Sequence, residues 1–234
     1  SPTYPIPATA ILTTAHFLLF YCAWNAAKWR GAQRKSVRRG FHNALSLRIT
    51  KASPKDALMP AHSFLPASVT ALQGRTRHVQ SLFAKRTRAT VAPGLVLRVD
   101  VAAQISGQWS SPAGRLLELE THVIQPGAWL ALHIALDLPD LTGIRWVGVV
   151  ARTTAMQATT VRVCLRSVLA SGFHDQFFAR DILSRSVQSD HHDLLDPTQF
   201  PDLPLQVQRR ELVLFLPPAT PIAWALHDLA VFRL

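Results

Sequence analysis

From Trp129 to Leu138 the chain alternates without a break. Leu130, Leu132, Ile134, Leu136 and Leu138 fall on one side, and Trp129, Ala131, His133, Ala135 and Asp137 on the other. Successive side chains of a strand point to opposite faces, so this period of two predicts a half-buried strand. Six further runs read the same way, at 95–105, 115–124, 144–152, 159–167, 211–217 and 222–234. Between them lie turn-forming clusters, SSPAG at 110–114, QPG at 125–127, PDLTG at 139–143 and Pro217-Pro218. Seven short strands with little helix between them predict a mainly β fold, a two-sheet antiparallel β-sandwich over residues 94–234. Residues 172–206 read as one long irregular insertion with a helical turn at FHDQFFARDIL. With 234 residues, 48% of them hydrophobic and only 17% charged, the chain is long and apolar enough to bury a core.

The ending LHDLAVFRL, residues 226–234, follows a proline-broken strand. It resembles the final strand of jelly-roll sandwiches of the galactose-binding or carbohydrate-binding-module type. The likeness covers residues 94–234, and it implies a jelly-roll-like sandwich that binds sugar or serves as an assembly module. Sugar-binding members of that type display exposed aromatic residues and bound calcium. This sequence offers neither an evident aromatic platform nor a carboxylate-rich calcium loop, so sugar is not the expected partner.

Charge divides the chain differently. The formal net charge is +11, yet residues 1–27 hold no Lys, Arg, Asp or Glu. Residues 28–98 carry fifteen basic side chains against the single acid Asp56, and residues 99–234 carry ten basic and thirteen acidic ones. Three segments follow: an apolar N-terminal helix over 1–29, a basic proline-containing arm over 30–93, and the sandwich. A helix from Ala8 to Trp29 would be about 33 Å long, close to the bilayer core. Tyr21, Trp24 and Trp29 gather at its C-terminal end as an aromatic belt, and Lys28, Arg30, Arg34, Lys35, Arg38 and Arg39 follow as a positive-inside anchor. The expectation is a single-pass membrane protein with the C-terminal domain in the cytoplasm. The arm would lie on anionic lipid, at about 1 kcal/mol for each basic residue near the leaflet. The same cations could neutralise RNA phosphates, which keeps a nucleic-acid partner as an alternative.

Residue types that do chemistry are sparse in pattern. SDHHDLLD supplies Asp190, His191, His192, Asp193 and Asp196, with His174 and Asp175 nearby, but the spacing matches no metal-ligand motif. Cys164 sits within a strand run with no partner implied by spacing and reads as structural. No nucleophile elbow, P-loop or dinucleotide fingerprint occurs. Arg162, Arg166, Arg180 and Arg185 stand with Asp175 and Asp181, as an ion-pair network would that pins the insertion to the sheet, with a patch for an acidic partner as the alternative. Phe173, Phe177 and Phe178 are expected to fix the insertion to the sandwich and are candidate interface residues, since Phe178 exposed at a loop tip would make a good anchor. The sequence reading is therefore a non-enzymatic accessory or assembly subunit of a membrane complex, without cofactor or metal, that contacts anionic lipid and other protein subunits. An RNA-associated structural protein and a carbohydrate-binding module are the alternatives.

Overall fold

A computed structural model describes residues 64–74, 77–82 and 87–234, all within one compact unit, Ser53–Leu234. A short helix α1 (Ala67–Thr70) runs into a 3-10 turn (Ala71–Gly74), and strands follow: β1 (Arg77–Leu82), β2 (Arg88–Ala92), β3 (Leu95–Val99), β4 (Gln104–Ser111), β5 (Leu117–Gln125), β6 (Leu130–Leu136), β7 (Val147–Ala155), β8 (Thr159–Leu169), β9 (Gly172–Phe177), β10 (Ile182–Ser184), β11 (Ser189–Leu195), β12 (Arg209–Leu216) and β13 (Ile222–Arg233). One sheet has the order β1-β4-β5-β13-β7-β11 and the other β10-β8-β12-β6-β3-β2, with β9 also paired to β8. The pairings are antiparallel. From β3 onward the chain passes repeatedly between the sheets, so the mainly β two-sheet sandwich expected from the alternation is the architecture found.

Alternation builds the core directly. In β6 the set Leu130, Leu132, Ile134 and Leu136 turns inward, and register aligns it with Leu216, Leu214, Leu212 and Arg210 of β12. Trp109, Leu117, Leu119, Val147, Val149, Leu226 and Val231 meet it from the first sheet. Each such apolar side chain contributes roughly 1.5–3 kcal/mol by leaving water.

Two expectations shift. The sandwich begins upstream of residue 94, because Leu65, Val69 and Leu72 belong to its core and β1 and β2 extend the two sheets. Backbone bonds from Phe64 N to Val231 O (3.0 Å) and from Asp137 N to Phe64 O (2.9 Å) fasten this segment. Residues 172–206 hold three strands, β9, β10 and β11, and no α-helix, and GFHDQF is strand. These strands are polar because two of them pair along the same margin of β8 and the third lies at the end of the other sheet.

The expected apolar helix, its aromatic belt Tyr21, Trp24 and Trp29, and the cations Lys28, Arg30, Arg34, Lys35, Arg38 and Arg39 lie outside the described residues. Among the described residues no helix is long and apolar enough to cross a membrane.

Candidate ligand-binding face

The second sheet turns one set of side chains to the core and the other away from it. Antiparallel register lays the outward set out in rows across the strands. One row runs Arg88, Arg98, Ala131, Phe215, Arg162. The next runs Thr90, Val96, His133, Val213, Cys164, Phe177. A third joins Ala135, Glu211, Arg166 and Asp175, and a fourth Arg209, Val168 and Phe173. Small residues hold the middle, where Ala131, Val213 and Cys164 form a secondary apolar cluster under the rings of Trp129, Phe177 and Phe215. The aromatic platform missing from the sequence reading is assembled here from three separate segments, residue 129 ahead of β6, β9 and β12.

Charged groups are held among these rings. Arg166 donates through Nε and Nη2 to the two oxygens of Asp175, each at 2.6 Å, and its guanidinium lies 4.0 Å over the Phe173 ring. A fork-to-carboxylate pair of this kind fixes both side chains in one orientation. The hydrogen bonds to Asp175 raise the Arg166 pKa against the cost of burial. Arg162 lies 4.0 Å over Phe177, whose ring is 5.8 Å from that of Phe215 and tilted by 38°. Each cation therefore stacks on a ring as well as presenting donors.

On β6 and β12 a buried pair lies between the two sides of the face. His133 Nδ1 is 2.9 Å from Glu211 Oε2, and Arg209 Nε is 3.1 Å from Glu211 Oε1. Burial pushes the Glu211 carboxyl up. The hydrogen bond with His133 and the charges of His133, Arg209 and Arg98 outweigh it and hold the carboxyl below its ordinary value. An ionised Glu211 can only accept, so the proton of this bond sits on His133 Nδ1. Arg98 Nε is buried and has no hydrogen-bond partner. Burial first, and then Asp175, push the Cys164 thiol well up, which keeps it protonated and unreactive at neutral pH.

Of the expected interface residues, Phe173 is 61% exposed and Phe177 is half-buried on this face. Phe178 is no anchor, for it is only 6% exposed and belongs to the main core. Phe177 pairs with Cys164 on the outward side, so the next residue must turn inward, and its N–H donates to Val163 O at 2.9 Å. Of the expected ion pairs, Arg166 with Asp175 pins β9 to β8, whereas Arg180 pairs with Asp193 at 3.7 Å rather than with Asp181.

The SDHHDLLD residues separate. Asp190 and His192 take one face of β11, His191 and Asp193 the other. Asp190 accepts from Arg152 Nε at 2.7 Å, Asp193 from Arg180 N at 2.7 Å, and Asp196 caps the 3-10 turn Pro197–Gln199. Among the described residues no three His, Cys, Asp or Glu side chains group as metal ligands.

Two grooves lie elsewhere. One, of about 380 Å³, follows the outer side of the first sheet along Gln108, Ser110, Glu118, Glu120 and Thr154. Its tryptophans, Trp109 and Trp224, are core residues and offer it no ring face. The other, of about 410 Å³, lies between residues 141–145 and 197–205.

Sequence reasoning missed Trp129, His133, Glu211, Phe215 and Arg98 as a group. The signal was the minority face of each alternating run, AWLALHIAL and RRELVLFL. What sequence could not supply was the register that brings strands 78 residues apart side by side.

No protein-family model matches the chain. No curated protein matches it either. Solved structures do. The family 11 carbohydrate-binding module of the cellulosomal cellulase Lic26A-Cel5E of Clostridium thermocellum matches with a TM-score of 0.42 at 11% identity, over 67% of this chain and 95% of that one. The CBM22-1 xylan-binding domain of Paenibacillus barcinonensis Xyn10C gives 0.40 at 11% identity, over 68% and 95%. A family 11 module from Clostridium thermocellum in complex with a β-1,3-1,4-mixed-linked tetrasaccharide gives 0.42 at 10% identity, over 66% and 95%. The resemblance to carbohydrate-binding modules thus recurs in three dimensions, and the expectation that sugar is no partner is corrected: the structures this sandwich is similar to include sugar-binding ones. At these scores the likeness assigns this chain neither a ligand nor a residue role.

Proposed function

We propose that the sandwich binds carbohydrate on the outward face of its second sheet and carries out no reaction on it. The observation that supports this is the mixture on one face of ring surfaces, planar donors and carboxylates. Trp129, Phe173, Phe177 and Phe215 stand among Arg98, Arg162, His133, Asp175 and Glu211. A pyranose has an apolar C–H face, which suits an aromatic ring, and a rim of hydroxyls that both donate and accept. Rings alone would suit any apolar partner, and cations alone any anion. The combination suits a sugar. Strands hold these side chains, which favours recognition by a preformed surface. The protonated Cys164 thiol offers no nucleophile, in keeping with binding alone.

Affinity electrophoresis of the full chain through gels containing neutral and acidic polysaccharides tests the reading. At least one polysaccharide should retard the protein. Phe215→Leu with Trp129→Leu, which keeps apolar bulk but removes two rings, should weaken that retardation about tenfold. Mobility unchanged in every gel would refute carbohydrate binding. New reducing ends released from the polymer would refute binding without turnover.

A further inference from the structure

We infer that the ligand of this face is an acidic glycan, a polymer of uronate or sulfated sugar, read by arginines at the two ends of one cross-strand row. The inference rests on the carbohydrate reading above and names its ligand class.

Seven charged residues lie outward on the second sheet: Arg88, Arg98, Arg162, Arg166, Arg209, Asp175 and Glu211. Two of the five arginines are matched, Arg166 by Asp175 and Arg209 by Glu211. Among the described residues, Arg88, Arg98 and Arg162 have no carboxylate at ion-pair distance, although the charge of Arg98 is felt by Glu211. All three fall in the same row. Arg88 and Arg98 face each other across β2 and β3, and Arg162 follows after Ala131 and Phe215. Three strand spacings separate Arg98 from Arg162, about 14 Å. Between them the row presents only a methyl group and a ring.

This arrangement suits a ligand with negative groups about 14 Å apart and, between them, an apolar sugar face that rests on Phe215. Such a span calls for an oligosaccharide rather than a single sugar. Arg98 is half-buried and its Nε has no hydrogen-bond partner, so a carboxylate or sulfate docked on its guanidinium would supply charge-assisted bonds that the fold does not.

Phosphodiesters would also satisfy the arginines, but the rest of the face argues against nucleic acid. Glu211 and Asp175 lie one row away, and a sugar acid brings several hydroxyl donors per residue for such carboxylates to accept, whereas a phosphodiester backbone brings few.

The test compares the full chain on polygalacturonate, on the same polymer fully methyl-esterified, and on poly-U RNA, at fixed ionic strength. Arg98→Gln with Arg162→Gln should weaken polygalacturonate binding by about tenfold per arginine and leave the esterified polymer nearly unaffected. A second full-length variant, with Lys28, Arg30, Arg34, Lys35, Arg38 and Arg39 all changed to Gln, removes attraction by the basic arm and should keep most of the polygalacturonate affinity. Thermal melting of each variant verifies folding.

Equal binding of both polymers, unaffected by the face variant, would overturn the acidic ligand and leave carbohydrate binding standing. Binding of neither polymer would overturn the acidic ligand, and retardation in a gel of any other polysaccharide would show that carbohydrate binding still stands. Loss confined to the arm variant would place the anion elsewhere and overturn this inference. Poly-U binding abolished by the face variant, with no effect on polygalacturonate, would make the face a nucleic-acid surface and overturn it as well.

Discussion

Arg210 and Glu211 are neighbours on β12 and bury opposite charges on opposite faces of one sheet. Arg210 is 0% exposed on the core side. It donates to Leu138 O at 3.0 Å, Ser167 Oγ at 2.7 Å, Pro204 O at 3.0 Å and Leu205 O at 3.1 Å. Only a planar fork reaches acceptors in this arrangement, so the residue ties β12, β8 and residues 204–205 together. Arg210→Met would strand these acceptors, and we expect a loss of about 3–5 kcal/mol in urea unfolding. Arg210→Lys should recover only part of it. A Met variant within 1 kcal/mol of the parent would show that water can replace the fork. Glu211 gives a second prediction, in pH. Its folded-state pKa is depressed, so the stability it contributes is present above its ordinary value of 4.5 and is lost as pH falls through the lower folded value. The gap in stability between parent and Glu211→Gln, measured by urea unfolding, should therefore be widest near neutral pH and close in acid. A gap that stays constant down to pH 3 would show that the carboxylate charge plays no part.

Single strands carry their own constraints, and β4 has the tightest. Gly107 has φ of +156°, and a Cβ placed there would lie 2.0 Å from the carbonyl oxygen of Glu120 on β5. Backbone cannot yield as a side-chain tip can. Gly107→Ala should therefore force β4 from β5 and cost about 3 kcal/mol, near the top of the overpacking range. Gly114, with φ of +78° and nothing within 4 Å of its would-be Cβ, should lose only about 1–2 kcal/mol as alanine, from backbone strain alone. Thermal melting that ranks the two variants equally would exclude the steric account. The seven alternating runs were legible in the sequence because each buries one face. Apolar patterning also masked a turn: 95–105 reads as one run, yet it divides into β3 and β4 where Asp100 accepts from Ala102 N and Ala128 N. Strands β9 and β11 escaped notice for the opposite reason, since GFHDQF and SDHHDLL lack an apolar repeat and owe their form to pairing with β8 and β7. The candidate face was legible only as disconnected letters. His133 and Glu211 become a pair through the β6–β12 register, a long-range property that no local period encodes.

At the scale of the molecule, the boundary of the sandwich decides what can fold alone. Division at residue 94 treats everything upstream as an arm dispensable for the core. The packing argues otherwise, for Leu65, Val69, Leu72 and Val91 are all buried in the main cluster. Phe64 exchanges backbone bonds with β13 and with Asp137, and Ser111 Oγ on β4 donates to Leu72 O at 3.1 Å. Four apolar side chains at roughly 1.5–3 kcal/mol each place about 6–12 kcal/mol on this segment. A domain's entire net stability is about 5–15 kcal/mol. Removing residues 1–93 should therefore leave a chain with no cooperative melt and exposed apolar surface, whereas trimming only to Ser53–Leu234 should keep a cooperative transition. Calorimetry and dye binding on the two chains distinguish these outcomes. The shorter chain would also lack Arg88, one end of the cross-strand row, so its loss of glycan binding alone would be ambiguous. The melting curve settles the matter: a sharp transition in residues 94–234 would mean that strands β3 to β13 hold the sandwich by themselves and that the upstream segment merely covers it.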